Sequence, residues 1–327
     1  MKHTHTVKTL YLECSLGVSG DMLLAALSDM LPDGADILSG AVAALGLPGV
    51  SVRVSGQMVQ GIRTRRVEVL EEAPQPLRHL KDLTDIVNAA PEAHWPAKVK
   101  ELGLAALTRL AEAESRVHDE PLEHIHFHEV GAVDTVVDAL GSILLAHASG
   151  AERIVSSPVN LGSGFVTFSH GRFPVPAPAS AELARGMRTF ATDSGMELAT
   201  PTGLAVLKTL AADYGPLPLG SIQALGYGSG TYSTGAYPTF LRAFLLDAEE
   251  GGRAGKEHGH HSHGHGHGHG HDHEHGNHLE DDDYGTIFYG PHGHEGGYQG
   301  QGRHVHSKDP EEQEHGHRHQ GRHGNVR

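Results

Sequence analysis

The sequence is poor in the residues that build disulfides, cysteine metal sites and membrane spans. It contains one cysteine, Cys14, in 327 residues, which excludes an internal disulfide framework and a cysteine-based zinc ribbon. It has no run of 18 or more apolar residues that could cross a bilayer, and residues 1–13 contain no apolar signal-peptide region. We therefore expect a cytoplasmic protein that does not bind a membrane, with His, Asp and Glu as its metal ligands.

Positive charge is also scarce. The chain carries 25 Lys and Arg against 40 Asp and Glu, a formal net charge of -15. Both the part up to residue 250 and the part beyond it are acidic. Because nucleic-acid binding needs a basic surface, we expect no nucleic-acid partner.

Histidine, in contrast, is abundant and unevenly placed. Of the 29 histidines, 19 lie beyond residue 250. Near Glu249 the composition changes to Gly, His, Asp and Glu with almost no branched aliphatic residues. Such a segment buries too little surface to offset its ordering entropy, so we predict a core domain over 1–249 and a disordered His-rich tail over 250–327.

Hydrophobic patterns in residues 1–249 predict helices and strands that interleave without a regular βαβ period. A strand at 10–12 is followed by a glycine turn and a helix, and 50–59 with 62–70 alternate as a hairpin should. Prolines exclude 173–178 from a central strand. The fold class is therefore α+β, a mixed α/β domain. The remaining predicted elements are helices at 35–45, 77–89, 97–117, 133–146 and 179–185 and strands at 125–128, 153–155, 165–168 and 240–246.

The strongest chemical motif is the run His124-Ile-His126-Phe-His128-Glu129. In a strand, alternate side chains share a face, so the three histidines would project together and suit nickel, zinc, copper or cobalt. Glu129 can act as an oxygen ligand or as a base. Asp134 and Asp138 follow on one face of the next helix, as ligands or as partners that orient the histidines. The alternative is a solvated strand face with capping and surface aspartates.

A second motif is the glycine turn Gly17-Val-Ser19-Gly20-Asp21 between the first strand and helix. Its backbone N–H groups could cradle a phosphate, with Asp21 reaching a cation. It is neither a P-loop nor a dinucleotide fingerprint. The need for a tight turn explains the glycines equally well.

Further along the chain, three weaker motifs stand at element ends. His170 follows a predicted strand, as a candidate catalytic residue or a structural one. Glu197 precedes a helix start at Thr200-Pro201-Thr202, which suits anion or metal recognition or simple capping. The glycine-rich run 226–230 could let a ligand approach the backbone closely.

The tail has 11 histidines between His258 and His278. Neutral imidazoles on a flexible chain form interchangeable ligand sets, which favours capture or buffering of nickel, zinc or copper over a solubilising linker. The candidate ligands in its His-Gly repeats are His258, His260, His263, His265, His267, His269, His271, His273 and His275.

Taken together, these segments resemble the LarC family of nickel-insertion proteins, or nickel chelatases. The similarity covers nearly all of residues 8–247. It is carried by the Gly17 to Met22 turn, by His126 to Asp134 with Asp138, by His170 to Pro178 and by Glu197 to Gly203.

The resemblance implies a lyase-class enzyme that inserts Ni²⁺ into pyridinium-3,5-bisthiocarboxylic acid mononucleotide, using CTP with a divalent metal. The product would activate an apo nickel-pincer enzyme such as lactate racemase. Family members usually continue after the His-rich stretch into a nucleotide-associated domain, and nothing after His278 looks like it. We therefore expect a partner polypeptide that carries this C-terminal domain, or a longer product.

Two other functions remain as alternatives. One is a nickel or zinc metallochaperone or storage protein without cofactor chemistry. The other is a metallohydrolase that activates water on a metal held by His126, His128 and an aspartate.

Overall fold

A mixed seven-stranded sheet organises the computed structural model, which describes residues 5–73, 75–76, 78–125, 133–231 and 237–249. The strands are β1 (Thr6–Glu13), β2 (Val50–Val59), β3 (Ile62–Glu71), β4 (Arg153–Ser156), β5 (Val159–Asn160), β6 (Phe165–Phe168), β7 (Gly171–Pro174), β8 (Thr189–Phe190), β9 (Asp213–Tyr214), β10 (Gly220–Ser229) and β11 (Phe240–Glu249). The large sheet has the order β2-β3-β10-β11-β1-β4-β9, while β5 pairs with β8 and β6 with β7.

The helices fill the connections between these strands. They are α1 (Gly20–Met30), α2 (Gly34–Ala44), α3 (Leu80–Ala89), α4 (Ala97–His118), α5 (Val133–Ala148), α6 (Pro178–Ala184) and α7 (Pro201–Leu210), with a 3-10 turn at Leu122–His124. Helix α1 packs on β3, β10 and β11, and α5 packs on α1, α2, α4 and α7. Among the described residues, no helix combines the length and the apolar character that a membrane span needs.

The main core lies between the helices and one face of the large sheet. Alternation along β1 places Leu10 and Leu12 in this core and Tyr11 in a smaller cluster on the opposite face. Strand β11 alternates in the same way, with Leu245 in the main core and Leu246 in the smaller cluster. The smaller cluster contains strand residues only. The sheet is therefore covered by helices on the face that carries the main core.

Helix α1 lies unusually close to β10, and glycines explain the distance. A Cβ atom on Gly228 would lie 2.2 Å from both the Ala26 nitrogen and the Met22 oxygen. A Cβ on Gly226 would lie 2.1 Å from the Ala26 oxygen. We had expected this glycine run to admit a ligand, and at these two positions that prediction is wrong because the backbone of α1 fills the space.

The α+β class predicted from sequence is confirmed, and most predicted elements appear within a few residues of their expected bounds. The predicted helix at 77–89 begins later, at Leu80. The prediction that His124 shares an extended strand face is wrong, because Pro121 leads into the 3-10 turn that contains His124. Ile125 is buried as expected. The remainder of that predicted strand, 126–128, lies outside the described residues.

Candidate active site

Three helices begin at one polar pocket with a volume of about 540 Å³. This volume falls in the range of pockets that bind small molecules. The lining residues come from the first turns of α1, α5 and α7, from β3, and from the segments before α7 and β11. They include the acidic residues Asp21, Glu68, Asp134, Asp138 and Glu197, the basic residue Arg66, and the hydroxyl-bearing residues Ser19, Thr200, Thr202, Thr231 and Thr239.

A backbone bridge sets α1 and α7 side by side at this pocket. Val18 donates to the Leu198 carbonyl at 2.8 Å, and Thr200 donates back to the Val18 carbonyl at 3.0 Å. The bridged residues are Val18 and Ala199, and the residues that follow them, Ser19 and Thr200, are the N-caps of α1 and α7. The N-termini of the two helices therefore open on the same space. Gly17 contributes to this pairing and is not among the lining residues.

The Asp21 carboxylate accepts hydrogen bonds at the N-terminus of α1. One carboxylate oxygen accepts the Met22 N–H at 2.8 Å and the Ser19 hydroxyl, and the other accepts the Thr231 N–H at 2.7 Å. A carboxylate in the first turn also interacts favourably with the helix dipole. Asp21 therefore has a complete set of partners and fixes the segment before β11 to the pocket.

Asp138 stands one turn after Asp134 on α5 and faces the start of α1. A Cβ added to Gly20 would lie 2.9 Å from an Asp138 carboxylate oxygen. Burial raises the pKa of Asp138 well above its usual range, and the negative charges of Asp21 and Asp134 raise it further. Asp134 itself is exposed, with one oxygen 2.6 Å from the Thr135 nitrogen. Burial and these two neighbouring charges therefore disfavour the charged form of Asp138 at this end of the pocket.

Helix α7 and the residue Glu197 form the opposite wall. Thr200 caps α7 by accepting the Gly203 N–H at 3.4 Å, as the sequence predicted. Glu197 accepts the Ala177 N–H at 3.0 Å. Burial raises the pKa of Glu197 above its usual value, although the Ala177 hydrogen bond lowers it in part.

Sequence reasoning missed Arg66 and Glu68. Both project from β3 on one face, and the Arg66 Nη2 lies 2.9 Å from a Glu68 carboxylate oxygen. The signal was the alternation of polar residues at 64, 66 and 68, which indicated only the exposed face of a hairpin. Four consecutive residues of β3, from 66 to 69, line the pocket, whereas α1 packs on the strand face that carries Arg65 and Val67.

Two further predicted site residues are described by the structure, His124 and His170, and neither lines the pocket. His124 is exposed on the 3-10 turn. His170 is exposed on the turn between β6 and β7, with its ring centroid 4.8 Å from that of His118. His126, His128, Glu129 and the tail histidines from His258 to His275 lie outside the described residues. Within the part of the chain that the structure describes, no three His, Cys, Asp or Glu residues are placed to hold a metal ion.

Comparison with known proteins gives the family. The model of the nickel insertion protein family matches residues 10–274. The chain belongs to the nickel insertion protein family. A pyridinium-3,5-bisthiocarboxylic acid mononucleotide nickel insertion protein of Desulfitobacterium hafniense is 38% identical over 255 residues, 77% of this chain and 62% of the relative. One of the same name from Staphylococcus saprophyticus is 38% identical over 242 residues, 74% of this chain and 60% of the relative.

The matched region of this family member therefore spans about three fifths of the length of these curated relatives. No solved structure matches the chain. The pocket residues named above lie inside the residues that the family model matches.

Proposed function

We propose that this chain inserts Ni²⁺ into pyridinium-3,5-bisthiocarboxylic acid mononucleotide, alone or together with a polypeptide that supplies the rest of its relatives' length. The observation that carries the proposal is the convergence of Asp21, Asp134 and Asp138 at the mouth of one pocket in a nickel insertion family member. The negative charges of Asp21 and Asp134 beside the buried Asp138 favour the arrival of a divalent cation, because a cation stabilises the charged form that burial disfavours.

In this proposal the nickel ligands come from α5 and from the segment that precedes it. Asp134 and Asp138 supply oxygen ligands, and His126 and His128, six to twelve residues earlier in sequence, supply imidazoles. The imidazoles of this set suit nickel, and the carboxylates add oxygen ligands. His124 is exposed on its own turn and is assigned to metal capture.

The nucleotide lies between the N-terminus of α1 and that of α7, against Ser19, Gly20, Thr200 and Thr202. Bond formation between nickel and a pyridinium ring carbon releases a proton from that carbon. Glu129 accepts this proton in the proposed mechanism. Glu197, which lines the pocket and whose pKa burial raises above its usual value, is a second candidate base. His170, the other catalytic candidate from the sequence, is exposed on the turn between β6 and β7 and does not line this pocket.

The His-rich tail serves as a nickel reservoir in this proposal. In this proposal CTP and its divalent metal bind to the part of the relatives' length that this chain does not match. The apo nickel-pincer enzyme, such as a lactate racemase, then receives the product.

The direct test combines the purified chain with Ni²⁺, the bisthiocarboxylic acid mononucleotide and CTP, and detects nickel bound to the product by mass spectrometry. The full-length D. hafniense relative provides the positive control. We expect the chain to form product, either alone or after addition of the C-terminal part of that relative. Failure under both conditions, with an active control, contradicts the proposal.

Storage of nickel without cofactor chemistry is the second candidate, favoured by the 11 histidines between His258 and His278. Replacing these histidines by serine in the full chain separates the two functions. The insertion proposal predicts a higher nickel requirement but an unchanged rate at saturating nickel. Pure storage predicts that the variant loses its function at every nickel concentration.

A further inference from the structure

Two histidines lie against each other outside the acidic pocket, although they come from distant parts of the chain. His118 is the last residue of α4, and His170 stands on the turn between β6 and β7. Their ring centroids are 4.8 Å apart, with an angle of 51° between the ring planes. Neither residue lines the pocket, and the proposed insertion mechanism uses neither of them. We call these two residues the His118–His170 pair.

A carboxylate on the same helix sets the orientation of the His118 ring. The His118 Nε2 lies 3.5 Å from a carboxylate oxygen of Glu114, one turn earlier on α4. The Glu114 side chain is only 15% exposed, so solvent screens its charge poorly. A carboxylate at this distance favours the ring form with its proton on Nε2, which leaves the lone pair of Nδ1 for a metal. Histidines that bind metals in proteins are commonly oriented by a carboxylate in this way.

Aromatic side chains position His170 on the hairpin of β6 and β7. The Phe168 ring meets the His170 ring edge to face, with centroids 5.9 Å apart, and stacks on the Phe173 ring at 5.1 Å. The side of His170 that these rings leave open is exposed. The hairpin therefore presents His170 to the end of α4 and to solvent at the same time.

The surroundings of the pair favour a cation. The C-terminus of a helix carries partial negative charge, and His118 is in the last turn of α4. Glu114 adds a full negative charge. Paired imidazoles suit nickel, zinc, copper and cobalt, with metal–nitrogen bonds of about 2.1 Å. Since the described residues offer no set of three metal ligands, water would complete the coordination.

We propose that the His118–His170 pair captures Ni²⁺ at the surface, through Nδ1 of His118 and one ring nitrogen of His170. Glu114 is a positioning residue that acts through His118. Two protein ligands hold a metal more weakly than a closed set of four, which suits entry of nickel rather than its retention. The inference deepens the proposed function, because it gives the nickel substrate an entry site, but metal binding is measured here without the mononucleotide or CTP.

The test follows the histidine ring signals of the full chain by nuclear magnetic resonance while Ni²⁺ alone is added. Paramagnetic Ni²⁺ broadens the signal of a ring that binds it. We expect the His118 and His170 signals to broaden together, at a free nickel concentration at least 10-fold below that which broadens His147, an exposed histidine in the last turn of α5. The reason is that binding to one ring places the other at high effective concentration. Mg²⁺, which prefers oxygen ligands, should leave all three signals unchanged.

Three variants make the result specific. His170→Gln should raise the free nickel needed to broaden His118 at least 10-fold, to the level of His147. His147→Gln removes an exposed histidine elsewhere and should leave the response of the pair unchanged. Glu114→Gln should weaken nickel binding at the pair several-fold, and the ring nitrogen shifts of His118 should change from the Nε2–H form to a mixture of both neutral forms. Circular dichroism confirms that each variant folds.

Broadening of His118 and His170 at separate nickel concentrations overturns the assignment, and so does an unchanged response of His118 in His170→Gln. Paired broadening together with failure of nickel insertion in the wild type contradicts the proposed function only, and leaves a metal site at the His118–His170 pair.

Discussion

Helix α1 contacts one region that stabilises it by close packing and another that carries an electrostatic cost. Along its middle, the glycines of β10 let the helix backbone lie directly on the strand. At its N-terminus, Asp21, Asp134 and Asp138 place negative charge together in a partly buried pocket. The first region gains from close packing, whereas the second carries an electrostatic cost whenever Asp138 is charged. Costs of this kind concentrate at functional sites.

The largest effect on stability should come from adding a methyl group between β10 and α1. Gly228→Ala places a methyl group 2.2 Å from backbone atoms of α1, which side-chain rotation cannot relieve. We expect a loss of about 3 kcal/mol or more in the free energy of unfolding, measured by urea denaturation, or failure to fold. Gly56→Ala on β2, where nothing lies within 4 Å, is the matched control and should change little. Equal stability of the two variants would show that α1 does not lie this close to β10.

Asp21 should behave as a stabilising residue although it lies in the pocket. Asp21→Ala removes the acceptor of the Met22 and Thr231 N–H groups, so we expect a loss of about 2 kcal/mol and a lower thermal midpoint. Differential scanning calorimetry measures this shift. A variant as stable as the wild type would mean that these donors find other partners.

Asp138 should behave in the opposite way. Its pKa is raised in the folded state, so stability is full below the unfolded pKa near 3.8 and falls as pH rises toward the folded pKa. Asp138→Asn removes this loss because an amide does not ionise. We expect the variant to be more stable than the wild type at pH 7, by a few degrees in thermal midpoint, and to match it near pH 3.5. A destabilised variant at pH 7 would contradict the electrostatic cost assigned to this region.

The smallest effect belongs to the cap of α7. The Thr200 hydroxyl accepts the Gly203 N–H at 3.4 Å, which is long for a hydrogen bond. Thr200→Ala should therefore cost roughly 0.5 kcal/mol, the low end for an N-cap. Thermal unfolding measures the change. A loss above 2 kcal/mol would show that Thr200 does more at the pocket than cap the helix.

Sequence patterns found the elements of the site but only part of its geometry. The Thr200-Pro201 helix start, the β2–β3 hairpin and helix α5 follow from local signals, namely capping residues and hydrophobic periods. Strand β10 was not predicted, because its glycines and exposed apolar residues resemble a loop. It is a strand since β11 pairs with it along its length, and that pairing is a long-range interaction.

The same limit applies to the pocket residues. The sequence placed Asp134 and Asp138 on one helix face, but the approach of Asp21 depends on the bridge between Val18 and Ala199, which are far apart in sequence. Arg66 and Glu68 were missed for the same reason, since a hairpin pattern does not tell where along its second strand a pocket will open. The predicted metal-binding run from His126 to Glu129 remains a prediction outside the described residues.

The most direct test of nickel delivery through the acidic pocket compares Asp138→Asn with Asp85→Asn in the insertion assay at saturating nickel. Asp85 is an exposed helix residue that is paired with Lys81. Its substitution by Asn removes the same charge at a position away from the pocket. We expect product formation to fall at least 100-fold in Asp138→Asn while the protein becomes more stable, and to stay at the wild-type rate in Asp85→Asn. A wild-type rate of insertion by Asp138→Asn would contradict the account.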